Sequence, residues 1–573
     1  MRRNKQKALL LAALIGTVTV TSVIPTGCTP ADPGASKPAE TKDVTGEETG
    51  RQGSEGVTEE GAGKTGQEGS RGETEEGSNS ETEVGSEKES ETEVSRIMVS
   101  KDYYKKESWG NPISPDIFCA DPTAIEYNGR LYVFGTNDQQ QYDAGGDGSE
   151  NTYEKIKTLV VYSSEDLVNW TYHGVLDVGK VAPWIYNSWA PSIVSRTEED
   201  GLEHFYMYFS NTGAGVGVIT ATDPLGPWTD PLGKPLISGK TPGLGECPIP
   251  FDPGVCIDDE GRGWLAFGGG KASSGTDYMP GVARIVRLGE DMISLDSEIA
   301  KVPAPYFNEA SELNYMNGTW VYTYCNTWAE RTVWELPDSK APSICSMVYM
   351  TSSDPLNPDS WTYRGEYFAN PGKFGLGYGN NHTHLQKYQD RYFLVYHGQI
   401  ALEKLGKSGG YRNLAIMEMK VDEETQTIEN AKGSVYSNYP ALGTVNPYEE
   451  HPAAFFATAA GIDYVYEGSP FKTVTGVKAG EAGAWTYVRN VAFEENAPKS
   501  LELTVKGQGT LEIRSNEIES DPLLKVEVSA DDEGTTIKVD EELLQDFTGE
   551  QNLYFVLSDE GMELKEWKFV PAN

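Results

Sequence analysis

Four segments of the chain share one pattern: an acidic residue or histidine, a turn seven to nine residues later, then an aromatic-rich strand. A fifth, weaker copy begins at a tryptophan. The segments begin at Asp121, Trp189, Asp252, Glu309 and His382, about 57 to 73 residues apart. A repeat of this size is typical of propeller blades, each of which begins with a strand beside the central axis. The pattern therefore predicts an all-β fold whose main part is a five-bladed β-propeller, with several carboxylates near its axis.

Three of these first residues are carboxylates, Asp121, Asp252 and Glu309. Cleaving a glycosidic bond needs one carboxylic acid to protonate the leaving oxygen and one carboxylate to activate water or attack carbon. Crowded negative charges raise the pKa of at least one member, which keeps a proton available near neutral pH. An isolated Asp-Pro pair more often opens a turn. The shared position of the three carboxylates within the repeat is what favours a catalytic role over turn formation. We expect the nearby Glu312 to face the opposite side of an alternating strand.

Two other segment starts carry side chains suited to a sugar pocket. The ring of Trp189 can stack on a sugar, although packing in the core is an equally good interpretation. His382 is expected to line the pocket or to contact a structural ion through water. His382 and His384 alternate onto one face of a strand, as metal ligands do, but no third ligand has a matching spacing. No catalytic metal is therefore predicted.

The N-terminal region has a different composition from the repeats. Residues 29–96 contain no aromatic residue and are rich in Glu, Gly, Ser and Thr. Such a segment cannot bury enough apolar surface to offset the entropy of ordering it, so we expect a disordered tether. The formal net charge is −40, and residues 29–94 hold 18 Asp and Glu against 6 Lys and Arg. The rest is moderately acidic without a basic stripe, which disfavours nucleic acids and polyanionic substrates.

Residues 1–28 have the pattern of an export segment. Basic residues precede a largely apolar run of 17 residues, Ala8–Ile24, which ends before Gly27-Cys28. This resembles a bacterial lipoprotein cleavage site, with Cys28 as the acylated residue. We expect an exported protein, anchored by lipid on the outer face of the cytoplasmic membrane or cell surface, and otherwise secreted. The six cysteines show no CxxC spacing, so neither a zinc cage nor a disulfide framework is indicated.

The strand patterns divide the remaining chain into two domains. Short alternating strands with Asn-Gly and Asp-Pro turns run through residues 97–445, the predicted propeller. After Asn446-Pro447, residues 446–573 form a separate run of short strands with few helix signals. A β-sandwich of the jelly-roll type is the economical assignment.

The motifs at the segment starts, taken in order, resemble glycoside hydrolase family 43 over roughly residues 110–440. They are Ala120-Asp121-Pro122, Trp189-Ala190-Pro191-Ser192, Phe251-Asp252-Pro253, Glu309-Ala310-Ser311 and Asn380-Asn381-His382. The resemblance implies a five-bladed propeller and an inverting mechanism. It implies Asp121 as general base, Glu309 as general acid and Asp252 as the carboxylate that tunes the pKa of the acid. Arg412 matches an arginine expected near the pocket.

Within that family, Pro191-Ser192 and the segment around Glu309 look more like arabinofuranosidases. We therefore expect an inverting, exo-acting α-L-arabinofuranosidase that releases arabinose from arabinoxylan or arabinan of plant cell walls, acting as a monomer without a cofactor. Arabinanase and β-xylosidase activities are alternatives within the family. A non-catalytic surface glycan-binding protein is the alternative of another class.

The C-terminal region resembles carbohydrate-binding module family 6, through Gly483-Ala484-Trp485 and the closing Trp567-Lys568-Phe569 among other motifs. It departs from that family after Tyr448. The acidic residues expected there, which usually help to hold a structural calcium ion, are replaced by Ala453-Ala454-Phe455. A structural calcium ion is the one ion that the resemblance implies. The replacement of the acidic residues argues against calcium binding and against sugar binding by this region.

Overall fold

The computed structural model of the protein describes residues 96–146, 148–270, 277–330, 333–406 and 410–572. The predicted export segment, its lipidation site Cys28 and the predicted tether up to residue 95 lie outside these ranges. Within them, no helix is both long and apolar enough to cross a membrane. The regular secondary structure of the described part is almost entirely β-strand.

Five groups of strands occupy the region of the repeats. The first group is β1 (Ala120–Tyr127), β2 (Arg130–Thr136), β3 (Thr158–Ser164) and β4 (Trp170–Asp177). The second is β5 (Trp189–Thr197), β6 (Glu203–Ser210), β7 (Gly215–Ala221) and β8 (Ile237–Ser238). The third is β9 (Gly254–Ile257), β10 (Gly263–Phe267), β11 (Arg284–Arg287) and β12 (Ala300–Lys301).

The remaining groups complete this region. The fourth group is β13 (Phe307–Met316), β14 (Thr319–Asn326), β15 (Met347–Ser352) and β16 (Thr362–Phe368), and the fifth is β17 (Thr383–Tyr388), β18 (Arg391–Gly398) and β19 (Asn413–Met419). A small ribbon follows, β20 (Val421–Asp422) and β21 (Thr427–Ile428). The described α-helices are short: α1 (Asp138–Gly145), α2 (Val178–Val181) and α3 (Ile400–Leu405). Single 3₁₀ turns occur at Thr212–Ala214, Pro358–Ser360, Pro371–Phe374 and Glu541–Leu543.

The strand groups are antiparallel sheets joined by short turns, and the architecture is of the β-propeller type. The hairpins between β1 and β2 and between β13 and β14 turn at Asn128-Gly129 and Asn317-Gly318, all four residues with positive φ. Asn-Gly suits such a turn because neither residue pays a large steric cost in the left-handed region. The first strands of the groups contact one another in a closed ring, β1 with β5, β5 with β9, β9 with β13, β13 with β17, and β17 with β1.

The expected five separate blades are not seen as five separate sheets. Groups two to five each form a sheet of their own, whereas β1–β4 belong to a 14-stranded sheet that continues into the C-terminal region. The physical reason is that the outer edge of β4 is not free. It pairs with two C-terminal strands, through Phe455↔Thr171 and Phe471↔Leu176.

Ten strands form the C-terminal region. They are β22 (His451–Pro452), β23 (Phe455–Phe456), β24 (Thr458–Ala460), β25 (Ile462–Glu467), β26 (Phe471–Ala479), β27 (Ala484–Ala492), β28 (Ser500–Ser515), β29 (Leu524–Asp540), β30 (Glu550–Leu557) and β31 (Glu563–Val570). One hydrophobic cluster joins these strands to the first group, since it contains Val133 and Val160 as well as Leu503 and Phe555. The described residues between 96 and 572 accordingly fall in one compact unit, and the boundary at residues 445–446 and the sandwich remain predictions.

A segment that we call the N-terminal strap, residues 97–104, lies along the C-terminal strands. The indole N–H of Trp485 donates to the carbonyl oxygen of Ser100 at 3.1 Å. Arg514 donates to the carbonyl oxygen of Ile97 at 2.8 Å. The side chains of Ile97 and Val99 pack against the buried cluster around Trp485. The strap therefore covers apolar surface of the C-terminal region before the chain enters β1.

A kink recurs at the beginning of the first strands. Asp121, Ala190, Asp252 and Ala310 all have positive φ, between 42° and 61°, and the ladders of β1, β5 and β13 shift register next to them. A non-glycine residue in this conformation is strained by about 1–3 kcal/mol, and such residues cluster at functional sites. By this criterion Asp121 and Asp252 are equivalent, but Glu309 precedes its kinked residue. The expected common register of all three carboxylates is therefore wrong by one position for Glu309.

Candidate active site

The recurring kinks bring three carboxylates together at one end of the ring of first strands. Asp121 and Asp252 are 7% and 6% exposed, and Glu309 is partly exposed. Asp252 Oδ2 accepts the backbone N–H of Ala310 at 2.9 Å, which ties the strand of Glu309 to the neighbouring carboxylate. The charges of Asp121 and Glu309 both act on Asp252. The three groups thus form one electrostatically coupled site.

Asp121 is surrounded by positive and polar groups. Arg412 Nη1 donates to its Oδ1 at 2.7 Å. His397 Nδ1 accepts the backbone N–H of Asp121 at 3.0 Å, and its Nε2–H donates to the carbonyl oxygen of Asn380. Burial alone would raise the pKa of Asp121, but Arg412 and the two neighbouring histidines lower it to about 2. Asp121 is therefore ionised at neutral pH.

Glu309 has the opposite electrostatic environment. Burial and the negative charge of Asp121 raise its pKa to about 7, although the Arg412 guanidinium acts in the other direction. A carboxylic acid with this pKa keeps its proton over much of the neutral range. Glu309 is therefore suited to donate a proton near pH 7.

Asp252 interacts electrostatically with both of the other carboxylates. The Ser210 hydroxyl accepts the backbone N–H of Asp252 at 2.7 Å and lies 3.3 Å from its Oδ1. Burial, followed by the charges of Glu309 and Asp121, raises the pKa of Asp252 well above its usual value. Because its two oxygens have protein partners, Asp252 is less available to a ligand than Glu309. It is placed to influence the protonation of Glu309.

This arrangement can perform general acid–base chemistry. It holds one ionised carboxylate and one carboxyl group that is protonated near neutral pH, within one coupled cluster. Different environments that separate the pKa values of neighbouring carboxyl groups are characteristic of acid–base pairs in enzymes. A proton can therefore be taken by Asp121 and supplied by Glu309 in the same reaction.

Arg412, predicted near the pocket, is 2% exposed and engaged on two sides. Its Nε and Nη2 donate to Asp138 at 2.9 and 2.8 Å, while Nη1 donates to Asp121 and, at 3.3 Å, to Asn380 Oδ1. Asp121 and Asp138 raise the pKa of Arg412, so its charge is permanent. These hydrogen bonds are to protein groups, which makes Arg412 a fixed positive charge beside Asp121.

The other two predicted pocket residues also lie beside this cluster. Trp189 is partly exposed, and its indole N–H donates to the carbonyl oxygen of Tyr153 at 3.1 Å. His382 is 4% exposed, with Nδ1 at 3.8 Å from Asp121 Oδ1. Burial lowers the pKa of His382, so it is neutral at physiological pH. Trp189 is the one of these two with a surface that faces solvent.

Three residues near the site were missed by the sequence analysis: Asp138, Tyr153 and His397. Asp138 and Tyr153 lie in the loop between β2 and β3, outside the repeated pattern. His397 lies near the end of β18, where its contact with Asp121 spans 276 positions. Arg412 was the one signal that could have indicated Asp138, because a buried arginine needs charged or hydrogen-bonding partners for its whole guanidinium group.

A second polar cluster lies behind the carboxylates. His384 Nδ1 is 3.0 Å from Glu312 Oε1 and 3.5 Å from the hydroxyl of Thr123, and all three residues are buried. The register shifts between Glu309 and Glu312 interrupt the alternation from which we expected Glu312 to face the other side. Glu312 is buried and forms an ion pair with His384. Because it is engaged there, it does not compete with Glu309 for the acid role.

The described residues contain no group of three or more His, Cys, Asp or Glu side chains arranged to hold a metal ion. At the place where the resemblance suggests calcium, Ala453 and Ala454 are each 1% exposed, and Phe455 stacks on His451. These side chains supply none of the oxygen ligands that calcium prefers. The residues at this place therefore do not fit a calcium site.

The comparisons with known proteins agree with the fold. The family model "Glycosyl hydrolases family 43" matches residues 109–425. The chain is 32% identical over 487 residues to the arabinoxylan arabinofuranohydrolase of Paenibacillus polymyxa, covering 80% of this chain and 74% of that protein. It is 33% identical over 477 residues to the arabinoxylan arabinofuranohydrolase of Bacillus subtilis (strain 168), covering 79% and 90%.

A solved structure is similar over most of the chain. It is the crystal structure of a glycoside hydrolase family 43 arabinoxylan arabinofuranohydrolase from Bacillus subtilis in complex with cellotetraose. The TM-score is 0.74 at 30% sequence identity, and the match covers 82% of this chain and 98% of that one. The similarity therefore extends beyond the propeller region into the C-terminal strands.

Proposed function

The chain belongs to glycosyl hydrolases family 43, and on that premise we propose that it is an inverting, exo-acting α-L-arabinofuranosidase that removes arabinose from arabinoxylan. It is a glycoside hydrolase. The observation that carries the mechanism is the separation of pKa values between Asp121, about 2, and Glu309, about 7. The named activity of the two relatives supports the substrate.

In the proposed mechanism, Asp121 is the general base. It takes a proton from a water molecule, whose oxygen attacks the anomeric carbon of the arabinose unit. Glu309 gives its proton to the oxygen of the breaking glycosidic bond, so the polymer leaves as an alcohol. The reaction leaves Asp121 protonated and Glu309 ionised, and proton exchange with water restores both. Asp252 has the proposed role of tuning Glu309, and its contact with the Ala310 N–H holds the strand that carries Glu309.

The alternatives receive less support. Both relatives that match about four fifths of the chain are named for arabinoxylan, which favours this polymer over the arabinan of an arabinanase and over a β-xylosidase substrate. A glycan-binding protein without catalysis would gain nothing from three buried carboxyl groups, because burying and crowding such charges costs free energy.

The proposal is tested by the products that the purified protein releases. We expect arabinose from arabinoxylan, and less from debranched arabinan or xylo-oligosaccharides. Proton NMR of the first-formed arabinose should show inversion at the anomeric carbon. No release of sugar from any of these polymers would refute the proposal.

The role of Glu309 is tested with E309Q. We expect a loss on the order of 10²–10⁴-fold in kcat on arabinoxylan, the usual contribution of general acid catalysis. The loss should be much smaller for an arabinofuranoside with a nitrophenol leaving group, which departs without protonation. E424Q makes the same change at an exposed turn residue and should keep full activity. Equal losses of E309Q on both substrates would remove Glu309 from the acid role.

We also propose that the five strand groups are the five blades of the propeller and that residues 446–573 form a sandwich resembling carbohydrate-binding module family 6. The closed ring of first strands supports the blade count. The ten C-terminal strands, with the long pair β28 and β29, support the sandwich. A crystal structure in which β1–β4 do not radiate from the same axis as the other groups would refute the blade count.

The N-terminal sequence pattern supports a proposal for the location of the protein. We propose export through residues 1–28 with lipid attachment at Cys28, which follows from the sequence pattern. Metabolic labelling with a fatty acid should mark the protein, and C28S should abolish the label. Labelled C28S would refute the assignment. We further propose a monomer, which light scattering of the purified protein tests directly.

A further inference from the structure

The described parts of the β2–β3 loop, residues 137–146 and 148–157, contact Arg412 through Asp138 and Tyr153. Asp138 is fully buried and accepts two hydrogen bonds from the guanidinium and a third, at 3.2 Å, from the backbone N–H of Arg412. The ring of Tyr153 lies over the guanidinium, 5.1 Å from its carbon to the ring centroid. Two sides of the cation are thus bound by one loop.

The loop itself is fastened to the body of the propeller. Helix α1 begins at Asp138, and the Asn137 side chain caps it by accepting the Gln140 N–H. The Asn187 side-chain amide donates to three carbonyl oxygens of the loop, those of Tyr153, Glu154 and Ile156. Because both ends of the arrangement are held, Asp138 and Tyr153 have defined positions relative to Arg412.

The consequence appears at Asp121. Arg412 contacts this carboxylate through Nη1 alone, and that contact goes to Oδ1. The neighbouring His382 and His397 also lie nearest to Oδ1, at 3.8 and 3.4 Å. A free arginine prefers to grip a carboxylate with two parallel hydrogen bonds, which would occupy both oxygens. Here Nε and Nη2 are already engaged with Asp138.

We propose that the β2–β3 loop is a clamp in which Asp138 holds Arg412 on a single oxygen of Asp121 and so keeps the guanidinium off the second oxygen, which accepts the proton from water. This rests on the proposed function, since it assumes Asp121 as general base. Asp138 is a positioning residue, because it acts through Arg412. Tyr153 supports the same position by its cation–π contact.

The experiment measures kcat and KM on arabinoxylan for D138N, R412Q and the double variant D138N/R412Q. We expect D138N to lower kcat on the order of 100-fold, the effect of a small misplacement of a catalytic group, with little change in KM. D143N removes an exposed carboxylate from the same helix and should behave as wild type. If Asp138 acts only through Arg412, the double variant should have the same kcat as R412Q.

Each outcome decides the matter. Wild-type kcat in D138N, or a rise in KM without a fall in kcat, would overturn the clamp. A further tenfold loss in D138N/R412Q relative to R412Q would also overturn it. If D138N is unfolded at the assay temperature, the kcat of the charge-balanced double variant D138N/R412Q is compared with that of R412Q alone. Equal values support the clamp, and a further tenfold loss overturns it. Failure of the proposed function is distinguishable, because the wild-type protein would then release no arabinose at all.

Discussion

Ala310 donates its backbone N–H to Oδ2 of Asp252 at 2.9 Å, so the residue after Glu309 is hydrogen-bonded to the carboxylate for which we propose the tuning role. The contact depends on the kink at Ala310, whose φ is 61°. Burial and the charges of Glu309 and Asp121 raise the pKa of Asp252 as well. Two neighbouring acids of this kind titrate as a pair and share protons.

Replacing Asp252 by Asn should therefore alter the titration of Glu309. D252N keeps an oxygen for the Ala310 N–H but removes a charge from the pair. We expect the alkaline limb of kcat/KM to move to lower pH, because Glu309 then loses its proton without the negative charge of Asp252, while that of Asp121 remains. The pH profile of kcat/KM measures this shift. S210A, which removes only a polar contact of Asp252, should move the limb less, and an unmoved limb in D252N would contradict the tuning role.

The wild-type enzyme should lose activity as the pH rises through about 7. Glu309 must be protonated to act, and burial together with the charge of Asp121 raises its pKa to about 7. Asp121 must be ionised, and the nearby Arg412 lowers its pKa to about 2, so no acid limb is expected before the protein unfolds. A profile of kcat/KM between about pH 4 and pH 9 reports both groups in the free enzyme. Activity that rises through pH 7 would contradict the assignment.

The repeated pattern in the sequence was sufficient to predict the propeller and the meeting of Asp121, Asp252 and Glu309. Turn chemistry is local, so Asn128-Gly129 and Asn317-Gly318 could be recognised as hairpins directly. The one-residue offset of Glu309 could not be seen, because a positive φ at Ala310 leaves no trace in an alternating pattern. Because of the same kink, alternation alone does not report the orientation of Glu312, which stays a prediction.

Contacts between distant parts of the chain were the other missing information. Asp138 meets Arg412 across 274 positions, and it lies in a loop outside the repeat. The pairing of β4 with β23 and β26 likewise joins strands whose separate patterns look complete. Sequence periodicity reports which face of a strand is buried, but it does not report which other strand pairs with its edge. The merger of the first strand group with the C-terminal sheet follows from such an edge.

The ion pair between His384 and Glu312 should stabilise the protein most at acidic to neutral pH. Glu312 raises the pKa of His384 above its ordinary 6.5 despite burial. A histidine whose pKa is higher in the folded state stabilises fully below the unfolded pKa, and this contribution is lost as the pH rises through the folded pKa. H384Q should therefore be destabilised by about 3 kcal/mol near pH 6, as for other broken buried pairs, and less at alkaline pH.

Thermal unfolding of wild type and H384Q at several pH values tests this dependence. H204Q is the matched control, because His204 pairs with Asp200 at a site where the two side chains are 27% and 50% exposed. Exposed pairs contribute little, so H204Q should lose less than about 1 kcal/mol. A constant stability difference between wild type and H384Q across the pH range would show that the charge of His384 contributes nothing.

The N-terminal strap should be required for the stability of the C-terminal region. A variant that begins at Arg96 keeps the strap, and one that begins at Lys105 lacks it. The shorter variant loses the Ser100 acceptor of the Trp485 indole, the Ile97 acceptor of Arg514 and the apolar cover of Ile97 and Val99. Each lost hydrogen bond that leaves a buried donor unpaired costs about 1–3 kcal/mol.

Unfolding of these two variants, followed by tryptophan fluorescence and by arabinose release, separates the two regions. We expect the variant that begins at Lys105 to unfold at lower temperature and to expose Trp485 to quenchers. Because β4 pairs with β23 and β26, loosening of the C-terminal strands should extend to the first strand group and lower arabinose release in parallel. If the variant that begins at Lys105 shows no cooperative fluorescence transition for the C-terminal strands but releases arabinose as before, the propeller is stable without those strands.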